Sequence, residues 1–262
     1  MSANLPEKTD LPLAERSIGM LNVVARAVHN LDPWEKRTVS IALAKTDSRA
    51  MKDRNVASHN GGWRVRVSAE EYATEFGLVV KNAYGQLQKV AKTLMTKQFV
   101  ERRPTPRGFK EIRTNWCSQS VYHEGEGWIE LSFSADAIPY LLALQGKFTT
   151  YKLKEIALLR SIYSIRLFEC LASWRDTGKW VVSTEEFLRT LEVPTSLNDF
   201  AQVRRRVITP AMKELKEKNG FEIELIEHKA GRKVKTLEFK FKVSPQGDLF
   251  REPLPDLPDD GG

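Results

Sequence analysis

Two stretches of this chain repeat one another 115 residues apart, and that repeat constrains the fold more than any other feature. The first is Ser68-Ala-Glu-Glu-Tyr72, following Trp63-Arg-Val-Arg-Val67; the second is Ser183-Thr-Glu-Glu-Phe187, following Trp180-Val-Val182. In each, a Ser is followed three residues later by Glu (Glu71, Glu186), the spacing of a capping box. The hydroxyl accepts from an orphan N–H of the first turn, and the Glu reaches back to the N–H of the cap. Each Ser therefore opens a short amphipathic helix, closed at Gly77 in the first copy and before Pro194 in the second. Longer basic amphipathic segments follow at 79–97 and 199–218, then alternating strand-like runs around a Pro or Gly turn. Short helix, long basic helix, β-hairpin is the order of a winged helix-turn-helix, and the chain carries it twice.

At 262 residues there is room for two domains of about 100–130 residues each. The expected fold class is α+β: two tandem winged helix-turn-helix domains. Residues 1–17 read as a flexible N-terminus, 18–146 as the first domain, 147–243 as the second, and 244–262 as a disordered acidic tail rich in Pro and Gly. The junction is placed at 145–150. A first helix is expected over 20–29, and a second begins with Asp32 as cap, Pro33 at the first helical position and Glu35 three beyond the cap. Residues 99–103 and 109–116 flank Pro104-Thr-Pro-Arg107-Gly108, a hairpin with a basic tip that reads as the first wing. Further on come a strand at 128–133, a short helix at 136–144, and one strongly apolar helix over 155–174. In that helix Ile156, Leu159, Ile162, Tyr163, Leu167 and Cys170 recur at core spacing. The second wing is 221–226 and 234–241 around His228-Lys-Ala-Gly-Arg-Lys233.

A net charge of +7 raises the odds of a polyanionic partner only modestly; where the charge sits decides more. On a wheel at about 100° per residue, Phe200, Val203, Val207, Ala211 and Leu215 gather on one side of the second long helix. Gln202, Arg205, Arg206, Thr209, Lys213 and Lys216 gather on the other, and Arg204 is counted with them as DNA-binding. An ordinary solvated helix interleaves Glu with Lys, whereas here the acids Glu214 and Glu217 come late and the N-terminal half is purely donor. Arg can grip guanine bidentately, Gln can read adenine, and Lys and Thr can hold phosphate. The flanking wing adds Lys229, Arg232 and Lys233, and Pro210 is expected to kink or interrupt the helix. The first copy is softer. Ala83, Leu87, Val90, Ala91 and Leu94 face in; Lys81, Asn82, Gly85, Gln88, Lys89, Lys92 and Thr96 face out, and Arg107 sits on the expected first wing. Both copies read as faces for double-stranded DNA.

No catalytic constellation emerges. The four histidines are scattered, no Gly-x4-Gly-Lys-Ser/Thr phosphate loop exists, and a nickase would need a His pair that is absent. Neither a cofactor nor a metal is expected. Cys117 and Cys170 are not in a ligand pattern and read as reduced thiols. The opening residues lack the apolar core of a signal peptide, and no run approaches the roughly 18 apolar residues of a membrane span. A soluble, cytoplasmic protein is expected.

Several blocks resemble the C-terminal domain of the iteron-binding replication initiators (Rep proteins) of theta-replicating plasmids. They are Lys147-Phe-Thr-Thr-Tyr-Lys-Leu153, Ile162-Tyr-Ser-Ile-Arg-Leu-Phe-Glu169, Arg204-Arg-Arg-Val-Ile-Thr-Pro-Ala-Met212, and Lys229-Ala-Gly-Arg-Lys233 before Leu237-Glu-Phe-Lys-Phe241. The first half is similar at a lower level through 31–41 and 67–76, and the block 162–169 is the most specific part. The resemblance implies two winged-helix domains around a pseudo-two-fold, each reading part of a directly repeated origin sequence. By position, Arg205 and Arg206 fall on the main base- and phosphate-contacting helix, Lys81 and Lys89 on a weaker reader. It further implies host replication proteins such as initiator and helicase as partners, a dimer of the chain that represses its own gene, and no enzymatic activity. The competing reading is a winged-helix transcriptional regulator with no replication role. In the tail, Gln246-Gly-Asp-Leu-Phe250 resembles the bacterial clamp-binding pentapeptide. Leu249 and Phe250 would fill an apolar pocket and the Gln246 amide would bond at its rim; Gly247 departs from the usual Leu.

Overall fold

The computed structural model describes residues 11–46, 63–142, 148–197 and 199–243. The expectations placed on residues 1–10 and on the tail, including Gln246, Leu249 and Phe250, lie outside them, as does the whole polar segment 48–62, expected to be a loop. A 3-10 turn (Leu13–Glu15) leads into strand β1 (Ser17–Leu21), a single helical turn α1 (Asn22–Ala25) and helix α2 (Pro33–Lys45). The helix expected over 20–29 is therefore a strand end, one turn and a loop. Pairing decides this segment, because β1 lies antiparallel to β7 (Phe148–Lys152), from Ser17 opposite Lys152 to Leu21 opposite Phe148. Helix α2 starts as its sequence requires. The Asp32 carboxylate accepts from the N–H of Trp34 (2.9 Å) and Glu35 (2.8 Å), and Glu35 accepts from the N–H of Asp32 (2.8 Å).

The first repeat runs β2 (Trp63–Ser68), α3 (Ala69–Phe76), α4 (Val80–Thr93), β3 (Gln98–Thr105), β4 (Gly108–Asn115), β5 (Cys117–Tyr122), β6 (Trp128–Phe133) and a turn of helix α5 (Ile138–Leu141). Ser68 completes its capping box in both directions with Glu71 (3.1 and 2.9 Å), and Gly77 ends α3 at φ +60°, where a side chain would be strained. The sheet order is β2-β6-β5, whereas β3 and β4 pair only with each other. This corrects the expected first wing. The hairpin over 99–116 is an insertion between α4 and the sheet, and the wing is β5–β6, turning at 123–127. Pro104 and Gly108 give the louder turn signal, but β6 supplies the apolar face that must close on β2: Ile129, Leu131 and Phe133 are fully buried, and Phe133 stacks on Trp63 at 4.3 Å.

After β7 come α6 (Lys154–Ala157) and α7 (Ile162–Ala172), then the second repeat. It comprises β8 (Lys179–Ser183), α8 (Thr184–Thr190), α9 (Phe200–Val203), a π-helical turn (Arg204–Ile208), α10 (Thr209–Asn219), β9 (Phe221–Ala230) and β10 (Lys233–Val243). Its sheet order, β8-β10-β9, copies that of the first repeat. Ser183 caps α8 through the N–H of Glu186 (3.1 Å), but the Glu186 carboxylate is held by Arg189 (2.5 and 2.9 Å), so only half of the second capping box forms. The single helix expected over 155–174 is two. The break at 158–161 is satisfied from outside, since Glu214 of α10 accepts from the N–H of Arg160 (2.7 Å) and Ser161 (3.4 Å), and Ser161 caps α7.

The two halves are tied across the expected 146/147 boundary by the pairing of β1 with β7. They are also bolted together by a buried ionic cluster. Glu169 on α7 meets Lys36 of α2 at 2.6 Å, Arg166 at 2.9 Å and the Tyr151 hydroxyl of β7 at 2.6 Å. Arg166 also donates to the carbonyls of Ala25, Ala27 and, across in the second repeat, Thr190. Burial pushes the Glu169 carboxyl up, but the Lys36 and Arg166 charges outweigh it and hold it below the usual carboxylate range. Nearby, Glu192 accepts from the N–H of His29 (2.6 Å) and Asn30 (2.9 Å), a second tie between the repeats.

Candidate nucleic-acid interface

In the second repeat the packing side of the reading helix is as the wheel placed it. Val203, Val207, Ala211 and Leu215 are buried, Phe200 and Gln202 are half-buried, and Arg204, Arg205, Arg206, Thr209 and Lys213 are exposed. Pro210 has no N–H, and its ring crowds the carbonyl of Arg206. The chain absorbs this by widening one turn to π geometry over Arg204–Ile208, which carries all three arginines. Arg204 lies 3.2 Å from Glu227 of β9 and is thereby tied to the wing. Arg205 and Arg206 make no ion pair or side-chain hydrogen bond to any described residue. Lys213 sits loosely at 3.7 Å from Glu217, while Glu214, which would have diluted the cationic face, is turned inward to cap α7.

The wing tip is a two-residue turn between Ala230 and Lys233, with Gly231 at φ +61°. It holds Lys229, Arg232 and Lys233 exposed. A cleft of about 550 Å³ runs between the helix start (Phe200, Ala201, Arg204) and these three cations. Four of the residues expected to bind DNA, Arg204, Lys229, Arg232 and Lys233, thus line one concave surface of the kind that seats a phosphate backbone.

In the first repeat, Ala83, Leu87, Val90 and Ala91 of α4 are buried, Gln88 is half-buried, and Lys81, Asn82, Lys89 and Lys92 are exposed. Lys89 is partly committed, 4.5 Å over the Trp34 ring and 3.8 Å from Asp32; Lys81 and Lys92 have no partner among the described residues. The true wing tip, His123-Glu-Gly-Glu-Gly127, is acidic and lacks the Lys and Arg side chains of the second. The Tyr84 hydroxyl holds it against α4 by accepting from the N–H of Gly125 (3.0 Å). Arg107 stays exposed at the tip of the inserted hairpin, outside both wing sheets. Sequence reasoning passed over Val79 and Val80, exposed at the start of α4; two adjacent valines opening an otherwise basic helix were the available signal. Among the described residues no group of three or more His, Cys, Asp or Glu could hold a metal, and no helix is long and apolar enough to cross a membrane.

Family models described as "Initiator Replication protein, WH1" and "Initiator Rep protein, WH2" match residues 18–172 and 183–241. The first match ends with α7 and the second begins at the Ser that caps α8. A "Replication initiation protein" of Escherichia coli is 29% identical over 193 residues, covering 72% of this chain but only 59% of that relative's own length. The "PI protein" of Escherichia coli is 25% identical over 243 residues, covering 79% of this chain and 76% of its own. The solved structure of the Pi initiator protein in complex with iteron DNA has the same fold, with a TM-score of 0.74 at 24% identity over 88% of this chain and 99% of that one.

Proposed function

Because the chain belongs to the Initiator Replication protein family, we propose that it initiates plasmid replication by binding directly repeated origin DNA with both winged helices. The observation that carries the reading is the donor face of the second repeat. Arg205 and Arg206 have no partner among the described residues, Glu214 is turned inward toward α7, and a cationic wing stands across the cleft. Arg205 and Arg206 read guanine edges, Gln202 an adenine, and Thr209, Lys213, Arg204, Lys229, Arg232 and Lys233 hold phosphates on either side. Lys81, Asn82, Gln88, Lys89 and Lys92 form the weaker second grip, and Arg107 reaches backbone beyond it from the inserted hairpin. The functional division lies between the end of α7 and β8. The protein makes and breaks no covalent bond: it opens the origin by binding, recruits the host initiator and helicase, and represses its own gene as a dimer.

Footprinting on its origin tests the reading. Protection is expected over tandem direct repeats, at one-turn phasing of the two grooves that the modules enter. Protection of a single inverted repeat alone would instead make it a transcriptional regulator. The tail segment Gln246–Phe250 is proposed as the docking peptide for the sliding clamp, Leu249 and Phe250 filling its apolar pocket. Wild-type chain is expected to pull down the clamp, and a Leu249→Ala, Phe250→Ala double variant to lose it with DNA binding intact. Equal recovery from both would retire that role.

A further inference from the structure

We infer that the first reading helix recognises thymine, through the isopropyl groups of Val79 and Val80 set against the base's C5 methyl in the major groove. The inference rests on the reading of α4 as a DNA-contacting helix and deepens it, from a grip on phosphate to a base preference. Val79 is 53% exposed and Val80 48%, at the very start of α4. Val79 occupies the cap position and offers no side-chain hydrogen bond there. That position favours Ser, Thr, Asp or Asn, so an apolar residue leaves the helix less stable than it could be. The reading helix of the second repeat opens instead on Asp199, whose carboxylate accepts from the N–H of Ala201 at 3.2 Å.

The surroundings say what covers these valines. Helix α4 contains no Asp or Glu, and exposes Lys81, Asn82, Lys89 and Lys92. An apolar protein partner would have to bury those cations beside the valines, whereas DNA pairs them with phosphate. One turn on, Gly85 leaves open space where a Cβ would stand, so a groove wall can come close to the helix. In a helix-turn-helix the N-terminal residues of the reading helix contact base edges. Of the groups that a base pair shows in the major groove, only the thymine methyl is apolar. Two half-exposed valines at that end therefore match thymine and no other base.

The test uses the full chain and duplexes carrying the direct repeats of its own origin, with each thymine replaced singly by deoxyuridine, which lacks only the methyl. Wild type is expected to bind about fourfold more weakly at one or two positions within the segment protected by the first module, the effect of re-exposing one methyl-sized group. Val80→Ala or Val79→Ala should bind the unmodified duplex about that weakly and no longer respond to deoxyuridine at the matching position. Val80→Thr, which keeps one methyl, should recover part of the response. The salt dependence of these variants should equal that of wild type, because no phosphate contact is lost, whereas Lys81→Ala should lower the slope by about one. Equal wild-type affinity for every deoxyuridine duplex, with Lys81→Ala still weakening binding, would overturn the inference and leave α4 a DNA-contacting helix. If Lys81→Ala and Lys89→Ala also change neither affinity nor salt slope, the reading beneath it fails as well.

Discussion

Glu169→Ala is expected to destabilise the folded chain by about 3–5 kcal/mol, the range for breaking a buried ion pair by removing one partner. Lys36 and Arg166 would be left facing each other, with side chains 1% and 2% exposed and no counter-charge. Taking charges out of water is tolerable only while each finds its opposite and its hydrogen bonds. Glu169 supplies all of these at once, to α2 through Lys36, to its own helix through Arg166, and to β7 through Tyr151. The comparison variant is Lys36→Met. It leaves Arg166 and Glu169 as a balanced pair with the Tyr151 hydroxyl still donating, and it relieves an ammonium that burial already pushes toward its neutral form. It should therefore cost well under half as much as Glu169→Ala. Denaturant unfolding reads both; a Glu169→Ala loss below about 1 kcal/mol would show that water reaches the cluster and that it is no bolt between the repeats.

That cluster also marks the limit of what the sequence disclosed. The segment 162–169 carries the family resemblance most specifically, yet only its apolar residues announce their place through spacing. Helical spacing identifies Leu167 and Cys170 as core. It cannot show that Arg166 turns inward to collect three backbone carbonyls, because the acceptors lie 139–141 residues earlier and 24 later. The same distinction runs through the fold. Caps and turns are local, so Asp32, Ser68, Gly77 and Gly231 act where their sequence neighbourhoods place them. Strand pairing is not local. The segment 17–21 becomes a strand because β7 lies beside it, and the first wing moved from the Pro-and-Gly hairpin to a quieter pair of strands because β6 had the face that β2 needed. On the reading helices, a wheel sufficed for sidedness, and only packing revealed that Glu214 leaves the DNA face while Arg204 is shared with Glu227.

Arg205→Ala and Arg206→Ala should each weaken binding to the origin repeats by about 1–3 kcal/mol, or roughly 5- to 150-fold, if each makes a bidentate base contact. The fold should tolerate both, because the two side chains are exposed and touch no described partner, a setting in which substitutions stay within about 0.5 kcal/mol. What separates base reading from phosphate holding is the response to sequence. For a base-reading arginine, the variant should lose discrimination at one base pair while keeping it elsewhere, so that a changed base at that position no longer weakens it further. Arg204→Ala should behave differently. Its guanidinium is shared with Glu227, and the loss would uncover a carboxylate facing the cleft where phosphate is expected, weakening every duplex alike and changing the salt slope rather than the preference. Lys229 and Arg232 on the wing should follow the Arg204 pattern. Fluorescence titration against the wild-type repeat and its single-base variants decides the matter. Wild-type affinity in both Arg205→Ala and Arg206→Ala would remove the second helix from the DNA. Uniform weakening across all sequences would leave it there as a clamp on the backbone, with recognition passed to the first repeat and its valines.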